Sequence, residues 1–371
     1  MDFSFTDEQQ MLLDTTRRFV AERYGFDFRH RVRESAEGWS RDTWAQMADL
    51  GLLSINIPEA DGGIGAGPVG TMLVAHVVGE GLLLEPFLAS AVVATHAIVA
   101  LANGPRREQW INALASGELI AVLAHGEGDS DEAPVQTQAR REGDGWRLDG
   151  QKAPTYHAPA ANLLLVTARL EDGTLGLFAV PGDASGLTLK PGTSVDEQRL
   201  AAITLTDVRL ADDARVGGDA AKAVQDALSH GLAALCAEAF GAMDKILAAT
   251  IGYTRTRVQF GVPIGSFQAL QHRMAEMLMH LEQARSMCYL ATSQCDDADR
   301  AARGAALSAA KVLMGQAGRY IGQQAVQLHG GMGMTDELDV SHYFKRLLAF
   351  ELRFGTTDEH LEQYRLQLQA A

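Results

Sequence analysis

Residues 257–268, RVQFGVPIGSFQ, form the stretch that carries the most information about the fold. They lie between an apolar helical pattern over 233–256 and a second helical pattern that begins at Gln268. Two glycines and a proline between these helices predict a compact turn. The guanidinium of Arg257 and the carboxamide of Gln268 on such a turn suit a pyrophosphate, because a dianion accepts paired guanidinium hydrogen bonds. The alternative is an exposed arginine that caps the C-terminus of its helix.

A second glycine-rich stretch, QLHGGMGMT, covers residues 327–335. Its glycines at positions 330, 331 and 333 permit positive φ angles and a close approach of the backbone to a ligand. The alternative is a helix end followed by a bend, which is a common use of glycine. Taken alone, this stretch leaves both interpretations open.

The sequence around these two stretches is helical from residue 221 onward. Apolar residues from Met274 to Cys288 keep one stripe at helical spacing. Residues 300–328 are rich in alanine and other small residues, which suits close packing of helix on helix. This pattern predicts a four-helix bundle over 221–371.

Upstream, the apolar period changes near Gly117, and short extended segments separated by turn residues follow. The predicted strands are 120–125, 135–140, 146–149, 162–168, 175–180 and 201–205. Closely spaced strands without intervening helices favour an antiparallel barrel or sandwich. We therefore predict a mainly α protein with an N-terminal helical domain at 1–118, a central β-domain at 119–220 and a C-terminal helical bundle at 221–371. Thr6 and Gln9 predict a capping box at the start of the first helix.

Composition excludes several classes of partner. The chain has 371 residues, 47% of them hydrophobic, and a formal net charge of −15. Such acidity without a basic patch argues against nucleic acid and anionic membranes. The most apolar stretch, 82–102, contains a glutamate, a proline and a histidine, so it predicts buried helices rather than a membrane span. The polar N-terminus does not resemble a signal peptide, and Cys236 and Cys288 predict reduced core thiols in a cytoplasmic protein.

Three common site motifs are rejected or missing. Residues 65–70 match GxGxxG, but a glycine-rich loop rather than a strand precedes them, so we do not predict a dinucleotide site there. The sequence has no HExxH motif, no Cys/His pairing and no acidic calcium loop, so it predicts no metal site. It also lacks a GxSxG elbow, which argues against a serine hydrolase.

The two glycine-containing stretches together resemble the acyl-CoA dehydrogenase family. Further similar stretches are FTDEQQMLLDTTRRFV at 5–20, LGLLSINIPEADGGIG at 50–65, LTDVRLADDARVG at 205–217, HYFKR at 342–346 and FGTTDEHL at 354–361. The resemblance covers nearly the whole chain. It implies FAD as cofactor, acyl-CoA thioester substrates, electron-transfer flavoprotein as acceptor, and dimers or dimers of dimers. Residues 329–346 are similar to the small subunits of heteromeric dehydrogenases that act on pimeloyl-CoA or steroid side-chain thioesters.

In that family the cofactor lies between two subunits. By motif position, the implied contacts to the pyrophosphate and adenosine side of a neighbour's FAD are made by Arg257, Phe260, Gln268, Gln327 and Gly331. Thr356 matches a further cofactor-contacting position.

The family's flavin-facing motifs are altered in this chain. The loop that usually reads TEPxAGSD reads AHGEGDSD at 124–131 and keeps only Ser130 and Asp131. Pro154 and Tyr156 occupy the positions of the tryptophan that covers the flavin ring and of the Thr or Ser that donates to its N5 region. Tyr156 or its neighbour Thr155 is the available substitute.

The family's catalytic base is missing as well. The reaction removes an α-proton from a thioester and passes a β-hydride to flavin, and a carboxylate must take the proton. Phe354 stands at the usual glutamate position, and the alternative position on an earlier helix is Gly231, which is followed by Leu232. No catalytic residue is therefore assigned. The nearest carboxylates in sequence are Glu351, Asp358 and Glu359, whose ordinary interpretation is solvated helix charge.

Three hypotheses are consistent with this pattern. The first is the accessory, non-catalytic subunit of a heteromeric dehydrogenase, because the neighbour-side cofactor contacts survive while the own-side contacts and the base are lost. The second is a self-sufficient dehydrogenase with a relocated carboxylate. The third is a non-enzymatic scaffold or thioester-binding protein of the same fold, since fold alone does not fix chemistry. We favour the first.

Overall fold

The computed structural model describes residues 4–128 and 133–370. The chain divides into two compact units. The first unit combines the chain up to Arg29 with Pro68–Leu83 and everything from Leu232 onward. The second combines His30–Gly67 with Leu84–Gly231. The three-domain division with boundaries at 118 and 220 stays a prediction.

Eleven α-helices occur within the described residues. They are α1 (Asp7–Arg23), α2 (Phe26–Glu34), α3 (Arg41–Asp49), α4 (Gly67–Gly81), α5 (Thr95–Leu101), α6 (Gly104–Ala115), α7 (Ala220–Thr256), α8 (Gln268–Gln294), α9 (Arg300–His329), α10 (Asp339–Leu352) and α11 (Thr357–Ala370). A π-helix covers Phe87–Ala94 and leads directly into α5. The predicted capping box at α1 is confirmed, because Thr6 and Gln9 exchange both bonds.

The first unit is helical, and α9 is the helix that organises its C-terminal part. The start of α8 and the end of α9 lie side by side, since Arg273 donates to Gln324 at 3.0 Å. Gly318 and Gly322 on α9 leave room for Leu347 and Phe344 of α10. Small residues thus let the helices pack closely, as the alanine-rich pattern predicts.

α11 also packs along α9, in the opposite direction. Ser308 contacts both His360 and Gln363, and Gly315 lies beside the first residue of α11. The three cysteines are buried free thiols. None of the described helices is long and apolar enough to span a membrane.

The second unit contains the sheet. Its strands are β1 (Ala121–Ala124), β2 (Gln138–Glu142), β3 (Gly145–Tyr156), β4 (Leu163–Arg169), β5 (Leu175–Pro181), β6 (Leu187–Thr193), β7 (Arg199–Ala211) and β8 (Arg215–Val216). The order is β6-β7-β3-β2-β4-β5-β8, and β1 pairs with β4. Its buried face includes Leu148, Val166, Phe178 and Ile203.

The predicted antiparallel pairing is wrong for two strand pairs. β1 and β2 both pair with β4 in parallel, so the sheet is mixed, while all other strand pairs are antiparallel. Strand β6 was not predicted, because its sequence LTLKPGT contains Pro191 and a glycine and alternates weakly. A strand with proline is tolerated here because β6 lies at the edge of the sheet.

Candidate functional site

The stretch 257–268 forms a short hairpin between α7 and α8. Its strands are β9 (Val258–Gln259) and β10 (Val262–Pro263). Phe260 and Gly261 make the turn with φ angles of 53° and 82°. Positive φ at both central residues is the geometry of a tight two-residue hairpin turn, and it costs strain at a phenylalanine. The ring of Phe260 is 92% exposed, so this strained turn presents a large apolar group outward.

The hairpin and the second glycine-rich stretch lie at the same end of the bundle. Near the end of α7, the ring of Tyr253 stacks on His329 at the end of α9, with ring centroids 4.3 Å apart. The start of α8 reaches the same end of α9 through Arg273. The structure therefore gathers five of the six predicted cofactor-contacting residues at one end of the bundle. They are Arg257, Phe260, Gln268, Gln327 and Gly331.

The polar side chains at this end of the bundle are available to a ligand. Arg257, Gln268 and Gln327 are exposed. Within the described ranges, no hydrogen bond or ion pair engages any of these three side chains. A Cβ added to Gly330 or Gly331 would meet nothing within 4 Å, so the backbone is open to close approach. One guanidinium and two carboxamides beside open backbone suit a phosphate-bearing anion. We call these three residues, with Gly330 and Gly331, the bundle-end cluster.

Thr356 lies elsewhere and has a local structural role. Its hydroxyl and backbone N–H both donate to the Glu359 carboxylate, at 3.0 and 2.7 Å, and the Glu359 N–H donates back to its Oγ1 at 3.3 Å. This is a capping box at the start of α11. α11 begins beside Gly315 on α9. Twelve residues at about 1.5 Å each put this point about 18 Å from Gln327 along α9.

The three carboxylates nearest Phe354 in sequence do not form an open acid site. Glu359 is held by the capping box. The Glu351 carboxylate accepts from the backbone N–H of Thr357 at 2.9 Å, so it also binds the N-terminus of α11. Negative charge at a helix N-terminus is stabilised by the helix dipole. Asp358 is exposed.

The segment around Phe354 is held rigidly by a lysine that the sequence analysis did not single out. The Nζ of Lys311 is fully buried and donates to the carbonyl oxygens of Phe350 at 3.0 Å, Arg353 at 2.7 Å and Gly355. It therefore caps the C-terminus of α10 from a neighbouring helix. A lysine within the small and apolar run of α9 is the sequence signal that could have identified it.

A histidine fixes the same segment from the other side. The Nε2–H of His360 donates to the carbonyl oxygen of Phe354 at 2.7 Å. Burial lowers the pKa of His360 below its ordinary value. Phe354 itself has a φ of 55°. The backbone at this position is thus held in an uncommon conformation by two buried side chains.

A buried carboxylate that sequence reasoning missed is Glu238 on α7. It pairs with Arg346 at 2.7 Å, and Arg353 lies 3.8 Å away. Both arginines come from the segment 339–353, so Glu238 ties α10 to α7. A glutamate inside the apolar run ALCAEAFG is the signal that could have found it. Gly231, the alternative position for a base, lies in α7 and carries no side chain.

In the second unit, Glu127, in the described part of the stretch 124–131, has a buried carboxylate. The buried Lys152 pairs with Glu127, whose carboxylate also accepts from the hydroxyl of Thr137 at 2.6 Å. Burial raises the pKa of Glu127, but these bonds outweigh it and leave the pKa below its ordinary value. Burial also lowers the pKa of Lys152 to about 8 and that of His125 to about 4. Ser130 and Asp131 lie outside the described residues.

The resemblance predicts a Thr or Ser hydroxyl on β3, where this chain has Pro154, Thr155 and Tyr156. Pro154 is exposed and lies at a register shift between Lys152 and Thr155. The hydroxyl of Thr155 donates to the carbonyl oxygen of Ala153 at 3.0 Å, within its own strand. Tyr156 is half-buried.

Comparison with protein families matches two models. The model for the acyl-CoA dehydrogenase N-terminal domain matches residues 6–118, and the model for the acyl-CoA dehydrogenase C-terminal domain matches residues 219–367. Among curated relatives, the acyl-CoA dehydrogenase FadE12 of Mycobacterium tuberculosis is 32% identical over 92% of this chain and 91% of its own length. The human mitochondrial short-chain specific acyl-CoA dehydrogenase is 27% identical over 95% and 88%.

Solved structures show the same fold. A variant of the Tcur3481-Tcur3483 steroid ACAD superposes with a TM-score of 0.89 at 26% identity, over 98% of both chains. The ChsE4-ChsE5 complex from Mycobacterium tuberculosis superposes with a TM-score of 0.90 at 24% identity, over 100% of both chains.

Proposed function

The chain belongs to the acyl-CoA dehydrogenase family, and on that premise we propose that it is the accessory subunit of a heteromeric, FAD-dependent acyl-CoA dehydrogenase. Its role in this proposal is to complete a cofactor site on a partner subunit of the same family. The partner supplies the carboxylate that removes the α-proton of the thioester, because this chain carries Phe354 at that position.

One asymmetry carries the proposal. The side chains of Arg257, Gln268 and Gln327 are exposed and unengaged within the described residues, whereas Glu351 and Glu359 are both bound to the start of α11. In this proposal, Arg257, Gln268 and Gln327 bind the cofactor of the neighbouring subunit, while Glu351 and Glu359 stabilise the fold. A subunit that only completes its partner's site requires the exposed polar side chains at the bundle end. It does not require a catalytic carboxylate of its own.

The bundle-end cluster fits the diphosphate part of FAD. Arg257 would make charge-assisted hydrogen bonds to phosphate oxygens, and the two carboxamides would donate to the remaining acceptors. The exposed ring of Phe260 would cover an apolar part of the nucleotide. FAD, when bound, supplies the acceptor for the β-hydride of the acyl group. The cofactor contact predicted for Thr356 is not part of this cluster, because Thr356 lies about 18 Å away along α9 and caps α11.

The relatives support a heteromeric assembly. The steroid ACAD at 26% identity combines two differently numbered chains in its name, Tcur3481 and Tcur3483. We extend this arrangement to the present chain as part of the proposal, with an acyl-CoA thioester as substrate and electron-transfer flavoprotein as electron acceptor. A cytoplasmic location and a self-associated dimer or tetramer in the absence of the partner belong to the same proposal.

The test is to count flavin per protomer. The chain is purified alone and after co-expression with a dehydrogenase-like chain encoded next to it, and bound flavin is measured by absorbance after denaturation. We expect little flavin and no turnover from the chain alone, and about half a flavin per protomer in an active complex. A yellow, active homo-oligomer with full occupancy would instead support the self-sufficient enzyme.

A further inference from the structure

Two helices of the first unit cross in backbone contact, and this crossing brings three metal-ligating side chains together. A Cβ added to Gly79 on α4 would overlap the carbonyl oxygen of Glu238, and one added to Gly241 on α7 would overlap that of His76. Only glycine permits such an approach. Glu80, one turn after His76 on α4, and Asp244, three residues after Gly241 on α7, lie beside His76.

The three side chains are within coordinating reach of one another. One ligand atom each from His76, Glu80 and Asp244 lies within 4.8 Å of the other two. The Nε2 of His76 is 3.2 Å from a carboxylate oxygen of Glu80. His76 is only 7% exposed, and its ring is fixed against Phe240 with centroids 4.7 Å apart. Its buried Nδ1 has no hydrogen-bond partner among the described residues, which is costly for an imidazole nitrogen.

The guanidinium of Arg17 already lies over this cluster. From α1, the guanidinium of Arg17 forms two bonds to the Glu80 carboxylate, at 3.1 and 3.0 Å, and its Nη2 is 3.3 Å from the His76 ring. The side chain of Arg17 is 43% exposed, against 9% for His76 and 19% for Glu80. Arg17 can therefore turn toward solvent, whereas the ligands are held by the helix crossing.

We propose that His76, Glu80 and Asp244 form a binding site for a divalent transition-metal ion, with Arg17 as the competing cation. One imidazole and two carboxylates, with water completing the shell, are ligands that Zn²⁺ accepts. Magnesium and calcium prefer sites built from oxygen alone, so the imidazole favours a transition metal.

The site is independent of the cofactor function proposed above. The sequence analysis predicted no metal site, because the ligands have no recognised motif spacing and come from helices more than a hundred residues apart. Their common location depends on the two glycines that let α4 and α7 touch.

The experiment measures Zn²⁺ binding to the purified full-length chain by titration calorimetry after chelator treatment and dialysis. We expect one equivalent to bind, with at least tenfold weaker affinity in Asp244→Asn and in His76→Gln. Arg17→Gln is expected to bind at least several-fold more tightly, because its competing charge is removed. Asp14→Asn, an exposed carboxylate on α1, is the matched control and leaves the affinity unchanged.

Two results would overturn the proposal. If Asp244→Asn and His76→Gln, both verified as folded by circular dichroism, bind Zn²⁺ as tightly as the parent chain, the ion lies elsewhere. If Arg17→Gln binds no more tightly than the parent, the guanidinium does not compete for the site. Cobalt absorption gives a second measurement, since Co²⁺ in a site of low coordination number absorbs strongly, and Asp244→Asn should remove that band.

Discussion

The Nζ of Lys311, on α9, donates a hydrogen bond to the carbonyl oxygen of Arg353 at 2.7 Å, from a position more than forty residues earlier in the chain. The same ammonium bonds the carbonyls of Phe350 and Gly355. It thereby satisfies the orphan carbonyls at the end of α10 and fixes the backbone on both sides of Phe354. The segment around Phe354 is thus held rigid by a buried charge.

Replacing this lysine should destabilise the first unit. Lys311→Met keeps the length of the side chain but leaves at least three buried carbonyls without a donor, so we expect a loss of about 2–4 kcal/mol in the free energy of unfolding. Urea denaturation followed by circular dichroism measures it. Lys222→Met removes an exposed lysine paired with Asp226 and should cost less than about 1 kcal/mol. Equal effects of the two substitutions would show that Lys311 does not hold the segment.

The close crossing of α4 and α7 gives a second prediction, which compares two glycine substitutions on α7. Gly241→Ala places a methyl group against the backbone of α4 and should cost about 3 kcal/mol or more. Gly252→Ala, also on α7, meets nothing within 4 Å and should stabilise the protein by about 0.5–1 kcal/mol, because alanine is the better helix former. Thermal unfolding of both variants separates the steric effect from helix propensity. Similar shifts in Tm for the two would contradict the close crossing.

Stability should decline on mild acidification because of His125. Burial, assisted by the charge of Lys152, lowers its pKa from 6.5 to about 4. Below about pH 6.5 the unfolded chain binds a proton that the folded chain refuses until about pH 4, so stability falls through this window. The contribution lost between about pH 7 and pH 5 is about 2 kcal/mol.

His125→Asn should remove this part of the pH dependence. Urea unfolding at the two pH values measures the difference for the parent chain, for this variant and for His272→Asn, which changes an exposed ring on α8. We expect the His272 variant to keep the full decline. A decline of the same size in His125→Asn would place its origin in other groups.

The features of the fold and of the candidate site differ in how well the sequence predicts them. The hairpin at 257–268 and the glycine-rich end of α9 are local features, so their positions follow from turn residues and helix periodicity. The capping box at α11 was also readable, since TTDE at 356–359 has the Thr-x-x-Glu pattern, and it assigns Glu359 to the helix end. Glu351 could not be assigned, because its role depends on how α10 and α11 meet.

Contacts between distant segments could not be predicted from the sequence. The sequence positions of Lys311 and Glu238 do not identify their partners. The partners lie in other segments of the chain and come close only when the helices pack. The parallel pairing of β1 with β4 was missed for the same reason: strand periodicity fixes which residues are buried but leaves the direction of the neighbour open.

The bundle-end cluster predicts a cofactor defect in the heteromeric complex. Arg257→Gln removes the charge-assisted hydrogen bonds to the diphosphate, so the dissociation constant for FAD should rise about tenfold or more. Arg255→Gln, two residues earlier and also exposed, is the control and should retain flavin. Equilibrium dialysis of the co-purified complex gives the constant. Unchanged flavin affinity in Arg257→Gln would remove this chain from the partner's cofactor site.

Glu351 and Glu359 are bound to the start of α11 and Asp358 is exposed to solvent, so we predict that none of the three is a catalytic base. Glu351→Gln, Asp358→Asn and Glu359→Gln, each in the co-expressed complex, should keep turnover within about twofold, whereas losing a general base costs about 10²–10⁴ in rate. Glu359→Gln also preserves the capping box, because glutamine serves at that position, while Thr356→Ala should cost about 1 kcal/mol in stability. The measurement is kcat with an acyl-CoA substrate and an artificial electron acceptor. A hundredfold loss in any one amide variant, with its stability intact, would place the base in this chain and favour the self-sufficient enzyme over the accessory subunit.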